Sequence, residues 1–380
     1  MPAAKHSQNS PDLILFWAII VLMIIGLIAL FSASMVISIQ NTTSPKNPNG
    51  SATYYFFHQI LYGILPGIFL GFVFYKISPK KLKNLSVLLY LITIFLLSCV
   101  FLFPQFRFKA HGASSWLIFR GITFQPAEIA KLSLIIYLAG FFTKKIKENK
   151  ISKSENTLLP FLAILAPIGI LLIAQPDLGT LGVIALISLL LYFSAGGKIS
   201  HILLLIFLGL FLFLISINLF PHQFERITVF LNPEKDPLGS AYQIRQSLIA
   251  VGSGGIFGVG IGNGVQKYNY LPEPMGDTIF AVWAEETGFI GTLVLISTYL
   301  IIGLRGFIIS KRVSDKFLQL LACGITSWIL VQAFVNIGGV LKLLPFTGIP
   351  LPLVSYGGSA IIVTICALAI LLNISKYANI

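Results

Sequence analysis

Thirteen carboxylates stand against 26 lysines and arginines in 380 residues, so an acidic side chain inside an apolar run is a candidate for chemistry. The run from Asp277 to Gly288 is the richest. At 3.6 residues per turn it puts Asp277, Ala281, Ala284, Glu285 and Gly288 on one helix face of small and polar groups, which has to meet protein or water. At 1.5 Å per residue Glu285 lies about 12 Å beyond Asp277, outside the ~5–9.5 Å that separates paired glycosidase carboxylates. A two-carboxylate hydrolase is therefore not supported. Asp277 is expected to act alone at the helix mouth, while Glu285 and Glu286 hold neighbouring helices together.

Two further acids sit at helix starts. Gln125-Pro126-Ala127-Glu128 opens an apolar run with Lys131 three residues on, either a self-neutralising ion pair that lets the helix be buried or part of a substrate cavity. Asp177, in Gln175-Pro176-Asp177-Leu178-Gly179-Thr180, stands where an N-cap belongs, and capping is the favoured reading. Residues 221–276 balance Arg226, Lys235, Arg245 and Lys267 against Glu225, Glu234, Asp236 and Glu273. Inside that stretch Ser240-Ala241-Tyr242-Gln243 has capping-box spacing, and a short helix is expected with Ile244, Leu248 and Ile249 on one side, stopping near Gly252. Seven glycines follow between Gly252 and Gly264 in no nucleotide-binding register. Leu271-Pro272-Glu273-Pro274 then leads rigidly into Asp277, which gives Glu273 a structural or regulatory place. The five histidines have no metal-ligand spacing, and Cys99, Cys323 and Cys366 lie inside apolar runs without redox spacing.

The elements that must position these groups follow from composition. With 56% hydrophobic and 10% charged residues and a mean hydropathy of +0.89, a water-soluble domain is excluded. The apolar runs are continuous rather than alternating, which excludes a transmembrane β-barrel and leaves a helix bundle. Ten runs are long enough to span, at about 13–39, 56–76, 83–104, 124–143, 157–175, 178–197, 200–220, 277–303, 317–341 and 351–374. The first is too long for a signal-peptide core and reads as an uncleaved helix. With the N-terminus inside, sixteen lysines and arginines share the inner loops with four acids, a surplus of twelve against the whole chain's +13. The charge is thus a positive-inside signature, and no nucleic acid is needed to explain it. The expected organisation is an all-α polytopic membrane domain over 1–380, with residues 221–276 as a large extracytoplasmic loop before the eighth helix.

His111-Gly112-Ala113-Ser114-Ser115-Trp116, Gln125-Pro126-Ala127-Glu128 with Lys131, and Gln175 to Thr180 resemble the SEDS family of shape, elongation, division and sporulation proteins. So do Asn232-Pro233 to Gln246-Ser247, Leu271-Pro272-Glu273 to Asp277, and Pro350-Leu351-Pro352 to Ser355-Tyr356-Gly357-Gly358-Ser359. The resemblance runs in order over nearly the whole chain, and Gly262-Asn263-Gly264-Val265-Gln266-Lys267 is closer to the division type than to the elongation type. It implies a peptidoglycan glycosyltransferase that polymerises lipid II at the outer face of the bacterial cytoplasmic membrane, beside a class B penicillin-binding transpeptidase. The family's essential acid falls on Asp277, although this chain has Met275-Gly276 where His-Thr is common, and Ser114-Ser115 where many relatives carry Arg.

The implied chemistry needs one carboxylate. Asp277 would take the proton of the acceptor 4-hydroxyl as it attacks the donor's anomeric carbon with inversion, and the lipid diphosphate leaves without a general acid if cations neutralise it. Arg226, Arg245 and Lys267 are the candidate cations, with Lys131 a weaker one; Arg107, Lys109 or Arg120 would replace the missing Arg. No cofactor motif is present, and a divalent cation at the diphosphate is an open alternative. An elongation-type polymerase, a lipid-linked precursor transporter and a non-catalytic scaffold are the rival readings.

Overall fold

The computed structural model describes residues 10–44, 47–103, 107–110, 113–119, 122–219, 221–232 and 240–379. In chain order its elements are α1 (Leu13–Thr42), α2 (Tyr54–Lys76, with a π-helical turn at Ile60–Ile64) and α3 (Pro79–Leu102). A three-stranded antiparallel sheet follows: β1 (Arg107–Ala110), β2 (Ala113–Phe119) and β3 (Ile122–Phe124). Then come α4 (Pro126–Lys147), α5 (Ser154–Ala174), α6 (Leu178–Ser194) and α7 (Ile199–Leu219). Two short helices, α8 (Pro221–Leu231) and α9 (Ser240–Ser253), precede the long α10 (Ile279–Arg312), α11 (Lys316–Val340) and α12 (Gly358–Ser375).

Local chemistry sets the ends. Asp12 accepts from Leu15 N at 3.0 Å, Asp177 from Thr180 N at 3.1 Å, and Asp315 from Phe317 N at 2.8 Å, so three acids cap α1, α6 and α11. Pro79 and Pro126 occupy first turns, where a missing N–H leaves nothing unpaired. Among the described residues nine helices are long and apolar enough to cross a membrane, and α6, at 17 residues, is a shorter tenth; their places match the ten apolar runs. The chain is thus a multi-pass helical membrane protein. α4 and α11 form the buried centre, around Phe142, Ile325 and Trp328. One end of the bundle carries the lysine-rich junctions, the other the sheet, α8 and α9.

Two expectations are corrected, and one element is new. The last span starts at Gly358 rather than 351, because Pro350, Pro352 and a left-handed Leu353 (φ 63°) keep the approach irregular. The helix opened at Ser240 runs on to Ser253 and buries Ala241, Ile244, Ser247 and Ala250, whereas Leu248 and Ile249 are exposed. The sheet at 107–124 has no counterpart in the sequence reading.

The eighth span is not one regular helix. Asp277 lies before it, and Gly288 breaks it with φ 65°, ψ −162°. The glycine-rich segment is inserted at that point. Val259 N and Gly260 N donate to the carbonyls of Glu285 and Glu286 (3.1 and 3.0 Å), while Phe289 N and Ile290 N donate to Gly255 O and Ile256 O (2.9 and 3.2 Å). The helix has exchanged two of its own hydrogen bonds for four to the loop, so the N–H groups of Phe289 and Ile290 and the carbonyls of Glu285 and Glu286 stay paired. A Cβ on Gly288 would lie 2.3 Å from Gly258 N, and its positive φ also disfavours any L side chain. Gly288→Ala is expected to destabilise the fold by about 1–3 kcal/mol, read as an earlier thermal transition in detergent.

Candidate functional site

Asp277 is set by main-chain clamps rather than by a helix. Asn336 of α11 donates from Nδ2 to Asp277 O and Ile349 O, both at 2.8 Å. Ser355 Oγ donates to Gly276 O at 2.6 Å, and Tyr356 N to Met275 O at 2.8 Å. Thr278 Oγ1 donates to Pro272 O and Glu273 O (2.8 and 2.9 Å), closing the turn that carries Glu273 in a left-handed conformation, φ 51°. Three separated segments, 272–278, 336 and 349–356, therefore converge on one carboxylate.

Asp277 and Arg226 face each other across Gly348. An atom at the Cβ position of that glycine would lie 3.5 Å from Asp277 Oδ2 and 3.9 Å from Arg226 Nη2, so a group placed there touches both carboxylate and guanidinium. Arg226, on α8, also donates from Nη1 to Thr347 O at 3.2 Å. Gln243 of α9 reaches Asp277 Oδ1 from Nε2 at 3.5 Å. Gln125 Nε2 lies 3.4 Å from Asp177 Oδ2, and Asp177 adds its negative charge to the surroundings of Arg226. The site thus draws residues from α8, α9, the start of α6 and the loop before α12.

Electrostatics raise the proton affinity of Asp277. Loss of solvent around its half-buried carboxylate, and then the Glu273 carboxylate, push its pKa up to about 7, against the downward pull of Arg226. Arg226 is lowered by its own desolvation, which Asp277, Asp177 and Glu225 oppose. A carboxylate poised near neutrality is matched to accepting a proton at physiological pH.

The other sequence candidates divide. Arg245, on α9, is exposed. Lys267, expected among the diphosphate cations, is instead fully buried: its Nζ donates to Glu286 Oε1 (2.6 Å), Ser32 Oγ (2.7 Å) and Gly262 O (2.7 Å). Glu286 also accepts from Ser32 of α1 at 2.6 Å, and Glu285 accepts from Val265 N at 2.8 Å, so both acids pin the inserted segment. Lys131 is 1% exposed and donates to Glu128 Oε1 (2.8 Å) and Gln332 Oε1 (2.6 Å). Gln332 in turn donates to Pro350 O at 2.8 Å, which links this pair to the loop beside Asp277. The side chains of Arg107, Lys109, Arg120 and Lys235 lie outside the described residues, as do His111-Gly112 and Pro233. Among the described residues no cluster of three or more His, Cys, Asp or Glu could hold a metal.

Sequence reasoning missed Asn336, Gly348 and Gln243. Asn336 and Gly348 carry no spacing signal, and the capping-box spacing of Gln243 marks a helix start rather than a site; only the folded arrangement brings the three to the acid.

Comparison with known proteins extends over this whole framework. The profile of the cell cycle protein family FtsW/RodA/SpoVE matches residues 13–380. Stage V sporulation protein E of Bacillus subtilis is 37% identical over 372 residues, spanning 98% of this chain and 99% of that protein. A protein named probable peptidoglycan glycosyltransferase FtsW, from Geobacter metallireducens, is 37% identical over 365 residues, spanning 96% and 94%. Among solved structures, a chain of a peptidoglycan synthase complex described as coordinating polymerization and crosslinking matches with a TM-score of 0.76 at 26% identity, over 96% of this chain and 98% of that one. The rod shape determining protein RodA of Thermus thermophilus matches with a TM-score of 0.69 at 25% identity, over 97% and 98%. With its sequence matched from the first helix to the last residue and its bundle shared with solved members, the chain belongs to the FtsW/RodA/SpoVE family of cell cycle proteins.

Proposed function

We propose that this chain is a peptidoglycan glycosyltransferase that polymerises lipid II, with Asp277 as its general base. Relatives named as peptidoglycan glycosyltransferases support the reaction class, and the facing of Asp277 and Arg226 across Gly348 is the observation that carries the mechanism. The acceptor's 4-hydroxyl gives its proton to Asp277 while its oxygen bonds to the donor's anomeric carbon. The bond from that carbon to the diphosphate breaks, and the lipid diphosphate leaves with both electrons. Arg226 is the cation beside the base, and Arg245 the exposed one on the neighbouring helix. Because the leaving group is already stable as an anion, one carboxylate suffices.

The lysine-rich end then faces the cytoplasm and the site faces outward, a reading that the positive-inside charge distribution supports. A class B penicillin-binding transpeptidase is the partner; the match to a chain of a peptidoglycan synthase complex supports this. The relatives named FtsW support the division-type reading over the elongation type.

The test is polymer formation from labelled lipid II by the chain purified with its transpeptidase. Glycan strands are expected; none from a folded complex would return the transporter reading. A base must be deprotonated to act, so the rate is expected to rise with pH through about 7 and level above it. A profile flat from pH 5.5 to 8.5 would remove Asp277 from the proton transfer.

A further inference from the structure

Between α11 and α12 the chain passes the site as an irregular stretch whose carbonyls are held from outside it. Arg226 donates to Thr347 O at 3.2 Å, Asn336 to Ile349 O at 2.8 Å, Gln332 to Pro350 O at 2.8 Å and the Tyr299 hydroxyl to Pro352 O at 2.5 Å. Pro350 and Pro352 have no N–H to give, so a regular element could not satisfy this stretch from within. Its path is set by side chains of α8, α10 and α11.

Gln332 and Asn336 stand four apart on one face of α11 and are 1% and 4% exposed. Gln332 Oε1 accepts from Lys131 Nζ and Trp328 Nε1, each at 2.6 Å, which turns its amide nitrogen to Pro350. The buried Glu128–Lys131 pair thus orients this side chain. Asn336 Nδ2 faces two carbonyls, Asp277 O and Ile349 O, and an amide turned the other way would set oxygen against oxygen. Its own Oδ1 is buried, and among the described residues no donor reaches it. Such an amide is a poor way to add stability, because the unpaired acceptor offsets what the donated bonds gain. What it does is join the base to the loop. One nitrogen ties the main chain of Asp277 to residue 349, beside Gly348, where carboxylate and guanidinium face each other, and Thr347, which Arg226 holds.

We infer that Asn336, with Gln332 behind it, is a positioning residue that fixes the gap between Asp277 and Arg226. The inference rests on the polymerase reading of that pair. Both amides act through main-chain carbonyls, so their loss changes the geometry of the site and removes no group that takes the proton.

The experiment uses the full-length chain with its transpeptidase and takes two readings. One is turnover of labelled lipid II; the other is the pH midpoint of the protonated-carboxyl infrared band that Asp277→Asn abolishes. Asn336→Leu keeps the side chain's size and removes both donated bonds. Turnover per folded molecule is expected to fall roughly 10²-fold, the cost of an ångström-scale misplacement, in kcat rather than KM. The midpoint is expected to drop from about 7 by roughly one pH unit: a loosened Asp277 regains water, whose loss is the main cause of its raised value, and shifts against Glu273 and Arg226. Gln332→Glu keeps an acceptor for Lys131 and Trp328 but loses the donor to Pro350, and smaller changes in the same directions are expected. Parental turnover per folded molecule, with only the folded yield reduced, would reduce both amides to a structural role and overturn the inference. An unmoved midpoint in both folded variants would overturn it as well. Polymer absent from the parent would sink the polymerase reading alone, since the infrared midpoint still tests the clamp.

Discussion

Asp277→Asn is expected to reduce glycan polymer formation by roughly 10²–10⁴-fold, the range a positioned general base contributes. The substitution keeps the shape of the side chain and leaves the main-chain bonds from Asn336, Ser355 and Tyr356 untouched. It removes only the oxygen lone pairs that take the proton. A stability measurement separates this from misfolding. The folded pKa of Asp277, about 7, lies above its ordinary value of 3.8, so folding favours the protonated form; that contribution is complete below the unfolded pKa and is lost as pH rises through about 7. The asparagine variant escapes that loss. It should therefore unfold at the same temperature as the parent or higher at pH 8, while making almost no polymer. Parental polymer yield from the variant would move the base elsewhere.

Lys267→Met is expected to lower the unfolding free energy by about 3–5 kcal/mol, because it strands the Glu286 carboxylate, 2% exposed, without its counter-charge. Among the described residues the side chain left to donate to it would be Ser32. Glu286→Leu would strand the ammonium in the same way. The double variant should be much less damaged than the sum of the two, since it removes both charges from a site that excludes water. Denaturant or thermal unfolding of the four proteins forms the cycle, and additive losses would show that the pair is not coupled. The loss should spread to the inserted glycine-rich segment, which limited proteolysis between residues 254 and 267 would detect.

How much of this was legible in the residues depended on the range of the interaction. Apolar runs are local and long, so the ten spans stood out. Asp177 followed by Leu178-Gly179-Thr180 is a local cap and stood out as well. The sheet at 107–124 did not, because its strands are short and register irregularly between Phe108 and Ala110. Lys267, in a glycine-rich loop, has the appearance of a solvated cation; only the approach of α1 and α10 buries it. The regular helix inferred for 277–288 failed for a similar reason, since Gly288 is permissive in any sequence and breaks the helix only because the chain's own segment 255–260 passes beside it. The acid was singled out by type and place, but the groups that hold and tune it come from about 50 to 80 positions away, such as Arg226 and Ser355.

The interruption at Gly288 also separates two jobs within one span. Below it, residues 289–312 form a stretch of about 36 Å, enough by itself to match the hydrocarbon of a bilayer. Above it, the short helical piece that leads back to Asp277 is bonded to the protein's own loop rather than facing acyl chains. A thicker or thinner bilayer is therefore accommodated by tilt of the lower stretch alone. The spacing between Asp277 and Arg226 is then expected to change little across membranes of different thickness.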